Sequence, residues 1–135
     1  MRRIVVGVDE SPGARAALAW AVDEARQWGA TLEAVLAWSH LVQPVEEFRS
    51  DFDEIAAREL LDRLVDEVGT EGVPRVVRTT VNDLPARSVL HVARDADLIV
   101  VGARGLGGFK GLLLGSVSQQ VASHSPCPVV IVRGH

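Results

Sequence analysis

The chain has 135 residues, 47% of them hydrophobic and 24% charged, with a formal net charge of −4. That length suits a single domain, residues 1–135, with one sizeable core. The acidic balance argues against nucleic-acid or anionic-membrane binding, since both need basic patches. Cys127 is the only cysteine, so neither an internal disulfide nor a cysteine-built zinc site is available. Met1-Arg2-Arg3 leads into an apolar stretch that reaches Asp9 at once, too short for a signal-peptide core. No apolar segment approaches the length that spans a bilayer. The expectation is a soluble, cytoplasmic protein.

The elements follow in chain order. Ile4-Val5-Val6-Gly7-Val8 is a β-branched run of the kind buried on both faces of a parallel sheet. Ser11-Pro12 reads as N-cap and first residue of a helix. Ala14, Ala17, Leu18, Ala21, Val22 and Ala25 then mark one helix face, and Gly29 ends it. Thr31 to Ser39 reads as a second strand. After a connector holding Pro44, Glu46 to Val68 reads as a longer helix. Its apolar side carries Phe52, Ile55, Ala57, Leu60, Leu61, Leu64 and Val68. Val76 to Val81 is a third strand. Asn82 or Asp83 is expected to cap a third helix that has Pro85 inside its first turn and buries Ala86, Val89, Leu90 and Ala93. Asp97 to Val101 is a fourth strand. A short helix from Val117 to Ser123 and a last strand from Val129 to Arg133 complete the chain. Alternating strands and helices predict an α/β fold, a doubly wound parallel sheet with helices on both faces.

Between the fourth strand and the last helix lies a glycine-rich stretch, with Gly102, Gly105, Gly107, Gly108, Gly111 and Gly115. Strand, glycine loop and helix form the layout of a phosphate cradle. Glycine permits close ligand approach, and successive N–H groups converge on an anion. Ser116 is placed as N-cap, so that the helix beginning at Val117 adds its positive end. A Walker loop does not fit any register, and the dinucleotide fingerprint fails because Lys110 stands where a third glycine belongs. The spacing that stands is Gly102, two residues, Gly105, nine residues, Gly115-Ser116.

This spacing resembles the nucleotide-binding signature of the universal stress protein family, in its ATP-binding branch. The resemblance covers Arg3 to Arg133. It implies a five-stranded sheet of order 3-2-1-4-5, similar to Rossmann-like and adenine nucleotide alpha hydrolase-like folds. In that order the sheet reverses between strands one and four, and open α/β sheets bind ligands at such a reversal. The ends of those strands meet there: Gly7, Val8 and Asp9 on one side, Gly102, Ala103, Arg104, Gly105, Leu106, Gly107 and Gly108 on the other. Gly115, Ser116 and Val117 close the phosphate end. Asp9, poorly suited to phosphate, is suited to a ribose hydroxyl or adenine; its plainer role is to cap the first helix. Ala37, at the end of strand two, maps to the family's base pocket.

Other features are open or bland. Arg104 reaches a phosphate or is solvated; Lys110 is expected to be solvated. Phe109, Leu112, Leu113 and Leu114 pack over a ligand or against a partner chain. The four histidines share no metal-ligand spacing, and neither Ser116 nor Ser118 has a histidine nearby in sequence. No catalytic residue and no protein-built metal site is expected. The resemblance implies an ATP-binding regulatory stress protein, with Mg2+ or Mn2+ held through the phosphates. It also implies a homodimer through Val129 to Val132. A slow ATPase or adenylyl-transfer enzyme is the alternative, and a dimerisation module with a vestigial pocket is a third class.

Overall fold

The computed structural model describes residues 1–39, 54–103 and 114–134. Nine elements alternate among these residues. They are β1 (Arg3–Val8), α1 (Pro12–Trp28), β2 (Thr31–Trp38), α2 (Glu54–Val68), β3 (Arg75–Asn82), α3 (Pro85–Val92), β4 (Leu98–Gly102), α4 (Ser116–His124) and β5 (Val129–Val132). The strands form one parallel sheet of order β3-β2-β1-β4-β5, as expected.

The sheet's two faces are covered by different helices. Ile4, Val6 and Val8 of β1 pack with α1 and α2, whereas Val5 packs with α3 and Val121 of α4. Alternate residues of one strand point to opposite faces, so a doubly covered strand must be apolar throughout. Ile4, Val5 and Val6 are all fully buried, which accounts for the unbroken β-branched run.

Helix α1 starts and stops on local chemistry. The Ser11 hydroxyl accepts the Ala14 N–H at 3.1 Å, and Pro12 follows at the first helical position. Gly29 ends the helix in the left-handed region, φ 61°, and its N–H donates to the Ala25 carbonyl. All six predicted face residues are buried. Their small side chains bring α1 close to the sheet.

Two expectations need correction here. Ile55 is 69% exposed, not part of the apolar side. At 100° per residue it lies about 150° around the helix from the centre of the buried face of Ala57, Leu60, Leu61, Leu64 and Val65. The part of the predicted helix before Glu54, Phe52 included, falls outside the described residues. Helix α3 is capped by neither Asn82 nor Asp83. Leu84 is its N-cap residue and offers no side-chain acceptor, while Asp83 Oδ1 accepts the Leu84 N–H at 2.7 Å. Asn82 is the last residue of β3.

Polar contacts fix strands at their ends. Asp97 accepts the Arg2 N–H at 2.8 Å and the Arg3 N–H at 3.0 Å, tying the start of β1 to β4. Those bonds, that from Arg2 foremost, hold the Asp97 carboxyl below its ordinary pKa. On the α3 side, Glu33 bridges three strands. It receives Arg3 Nη2 at 2.6 Å and the Thr79 hydroxyl at 2.6 Å, one on each oxygen. Arg78 of β3 binds Asp62 and Asp66 of α2, each at 2.9 Å, and so fastens the edge strand to its covering helix.

Candidate functional site

The strands part at one place. β1 and β4 pair from Ile4–Leu98 to Val6–Val100 and no further, although β1 runs to Val8 and β4 to Gly102. On the flanks pairing continues, to Val8–Leu36 between β1 and β2 and to Gly102–Val132 between β4 and β5. The sheet therefore opens into a notch at its reversal, where an open α/β sheet takes a ligand. A crevice of about 80 Å³ sits there.

The crevice brings together six of the predicted site residues: Gly7, Val8, Asp9, Ala37, Gly102 and Val117. Ala103 is buried directly after β4, and Gly115 and Ser116 begin α4. Arg104, Gly105, Leu106, Gly107 and Gly108 lie outside the described residues, as do Phe109, Lys110, Leu112 and Leu113. The site also includes residues that sequence reasoning missed: Ser11, Ala14, Val35, Pro85, Val89 and Val101. One signal was available for Val35, which lies two residues before Ala37 and so shares its face. Pro85 and Val89 carried none, because only the tertiary fold brings α3 over the notch.

The walls are mostly apolar. Val35, Val89, Val101 and Val117 contribute them. Beyond Leu36, β2 pairs only with β3, as Ala37–Val81 and Trp38–Asn82. The end of β2 on the β1 side is thus outside the β1 ladder.

Asp9 does not cap α1, which Ser11 does, but it supports the turn before that cap and lines the crevice. Its Oδ1 accepts the Ser11 N–H at 2.7 Å, which shapes the turn into α1. Among the described residues Oδ2 has no hydrogen-bond partner, and the residue lines the crevice half-buried.

The N-terminus of α4 differs from expectation. Gly115, not Ser116, is the N-cap residue, and no side chain caps the helix. Ser116 is its first helical residue and is exposed. A glycine offers no side-chain acceptor, so the N–H groups of Ser116, Val117 and Ser118 have no acceptor among the described residues. Gly115 itself donates to the Ala103 carbonyl at 2.6 Å, so it is not a free anion donor. Its φ is −78°, an extended conformation open to any residue. Backbone freedom is not what Gly115 supplies.

Gly7 and Gly102 also have reasons other than ligand approach. A Cβ on Gly102 would lie 2.8 Å from the Gly13 carbonyl carbon in α1. One on Gly7 would lie 2.8 Å from Val89 Cγ2 in α3. Both glycines let a helix sit close to the rim of the notch.

The model of the Universal stress protein family matches residues 1–133. The chain belongs to the universal stress protein family. It is 41% identical over 134 residues to a universal stress protein of Mycobacterium tuberculosis, an alignment that covers 96% of this chain and 45% of that one. The chain therefore spans about half the length of several curated relatives that it matches. A relative from Thermus aquaticus, 37% identical over 139 residues, is covered to 98%, as is this chain. Among solved structures, a universal stress protein from Lactobacillus plantarum superposes with a TM-score of 0.81 at 26% identity, covering 98% of this chain and 97% of that one. A universal stress protein in complex with cAMP gives 0.73 at 28%, with 99% and 98% covered. One from Archaeoglobus fulgidus in complex with dAMP gives 0.72 at 26%, with 98% of each covered. The family shares the Rossmann-like sheet described above.

Proposed function

We propose that this chain, as a single domain spanning 1–135, binds an adenine nucleotide in the β1/β4 crevice. We further propose that ATP is that nucleotide and that the complex is regulatory and cytoplasmic. One observation carries the reading: an apolar slot, a carboxylate and the uncapped start of a helix converge on one notch. The slot suits a base, the Asp9 carboxylate suits ribose hydroxyls, and open N–H groups at a helix N-terminus suit phosphate. The family relatives solved with cAMP and dAMP support the same ligand class.

In this proposal ATP carries its cation at the phosphates. Among the described residues no group of three metal-ligating side chains is clustered. Mg2+ or Mn2+ would then be held through the phosphates. The bound cation would neutralise phosphate charge; the chain's own part is to grip the base, the ribose and the phosphate end.

On this reading the chain binds nucleotide and does not turn it over rapidly. Efficient phosphoryl transfer needs an oriented nucleophile and stabilised charge on the group in flight. Glu10, the other carboxylate at this rim, faces Arg63 at 3.9 Å. Binding substrate and transition state alike does not accelerate a reaction. Calorimetry should therefore detect ATP binding. Phosphate release should be slower than about one event per minute, against a median enzyme turnover of about 10 per second. Turnover above about one per second, lost on removing the Asp9 carboxylate, would make the chain an enzyme and overturn the regulatory reading. Absence of any adenine nucleotide affinity would overturn the site.

A homodimer through β5 belongs to the same proposal. β5 is an edge strand, Val129-Val130-Ile131-Val132, with all four residues only partly buried. Val130 and Val132 face one core, Val129 and Ile131 the other. An apolar edge invites pairing, and a two-fold copy closes it. Light scattering at micromolar concentration should give twice the chain mass; a monomer's mass would contradict the assignment.

A further inference from the structure

The side chain of Ser118 has no role in the site described above, yet the residue is 1% exposed. A buried hydroxyl needs a partner, and it has two within reach. Its Oγ is 2.7 Å from the Ala103 carbonyl oxygen and 3.1 Å from that of Gly115. The second contact is the local one, from a helical serine to the carbonyl three residues back. The first is not local. It joins α4 to the residue that follows β4, fifteen positions earlier.

The Ala103 carbonyl is a junction. It accepts the Gly115 N–H at 2.6 Å as well as the Ser118 hydroxyl at 2.7 Å. On its other side, the Ala103 N–H donates to Val132 of β5 at 2.8 Å. Ala103 at the end of β4 is thus bonded directly to Gly115 and Ser118 at the start of α4. Two side chains of α4 are buried, Ser118 and Val121, and Val117 packs partly buried against the same core. Val121 packs in the apolar core and fixes the helix's depth. Ser118 is the polar one, and it faces the end of β4.

We propose that Ser118 is a positioning residue for the phosphate end of the crevice. By holding the Ala103 carbonyl, it sets where the open N–H groups of Ser116 and Val117 stand relative to Gly102 and Asp9. This rests on the nucleotide reading above for its consequence, though not for its geometry. It predicts a split by ligand. A nucleotide with phosphates reaches the α4 terminus, whereas adenosine has nothing to place there. Removing the Ser118 hydroxyl leaves the Ala103 carbonyl one donor short and frees the first turn of α4 to drift. The effect on a phosphate bonded to that turn is severe because hydrogen bonds weaken steeply with misalignment.

The test uses the full chain with Ser118→Ala, and Val121→Ala as a comparison that loosens the same helix through packing alone. Amide hydrogen exchange at Gly115 is read without ligand. Calorimetry is then run with ATP and with adenosine. In Ser118→Ala, exchange at Gly115 should rise relative to amides of β1. ATP affinity should fall about tenfold, equivalent to about 1.4 kcal/mol, with adenosine affinity changed less than about twofold. Val121→Ala should show no such split. Faster Gly115 exchange in Ser118→Ala, with neither ligand bound by the unaltered chain, would uphold the clasp and defeat the nucleotide reading. Unchanged Gly115 exchange, or equal losses for ATP and adenosine, would overturn the positioning role.

Discussion

Gly102→Ala should lower the melting temperature by roughly 6–12 °C, for a loss of about 2–3 kcal/mol. A single methyl rarely does so much. Here it would meet backbone and not side chain: the added Cβ would lie 2.8 Å from the Gly13 carbonyl carbon, 2.9 Å from its oxygen and 3.2 Å from the Ala14 nitrogen. No rotamer change relieves a clash with backbone, so α1 must move off β4. Ser11 and Ala14, in the first turn of α1, line the crevice and would move with it. ATP affinity should fall along with stability. Gly7→Ala is the informative comparison. Its Cβ would also fall within 2.8 Å of a neighbour, but that neighbour is a side-chain methyl of Val89. A valine on α3 can shift by a few tenths of an ångström where a helix backbone cannot. Thermal melts should rank Gly102→Ala well below Gly7→Ala. A Gly102→Ala protein that melts within about 2 °C of the unaltered chain would overturn this account of the close contact.

These two glycines show where a sequence stops being legible. The spacing from Gly102 to Gly115 marked the right segment, and the family it pointed to is the family of the chain. A second physical reason for Gly102 was not legible. That constraint is set by Gly13, far away in sequence, and only the fold brings them together. Local signals fared better. The β-branched run of β1, the Ser11-Pro12 start and the Gly29 stop each act through neighbouring residues, and each is found as read. Caps failed where a side chain had two nearby choices. Asp83 bonds the next N–H in the chain and leaves α3 uncapped by any side chain. At α4 the serine moved one place into the helix, and the cap fell to a glycine with no side chain to offer. That shift leaves the first N–H groups of α4 without a protein acceptor among the described residues, an outcome the sequence reading did not foresee.

Asp9→Asn should abolish most of the nucleotide affinity while leaving the fold intact. The two carboxylate oxygens of Asp9 do separate work. Oδ1 accepts the N–H of Ser11, the α1 cap residue, at 2.7 Å. Oδ2, with no partner among the described residues, is the oxygen available to a ribose hydroxyl. Asparagine keeps an oxygen for Ser11 and replaces the other with an NH2 group. The new group donates where an acceptor is wanted, and the negative charge is gone. A hydrogen bond to a charged group contributes about 1.5–3 kcal/mol, so affinity for ATP and for adenosine should fall roughly 10- to 150-fold. Both ligands carry the ribose, so both should lose alike, unlike the split expected at Ser118. Asp9→Ala removes the Ser11 acceptor as well. It should show the same loss of affinity together with a loss of about 1 kcal/mol in stability, because the turn into α1 loses a bond. Calorimetric titration with ATP and adenosine, beside thermal melts of both variants, separates the two oxygens. If Asp9→Asn binds both ligands as tightly as the unaltered chain, Asp9 is only a turn residue, and the nucleoside must be held by the apolar walls alone.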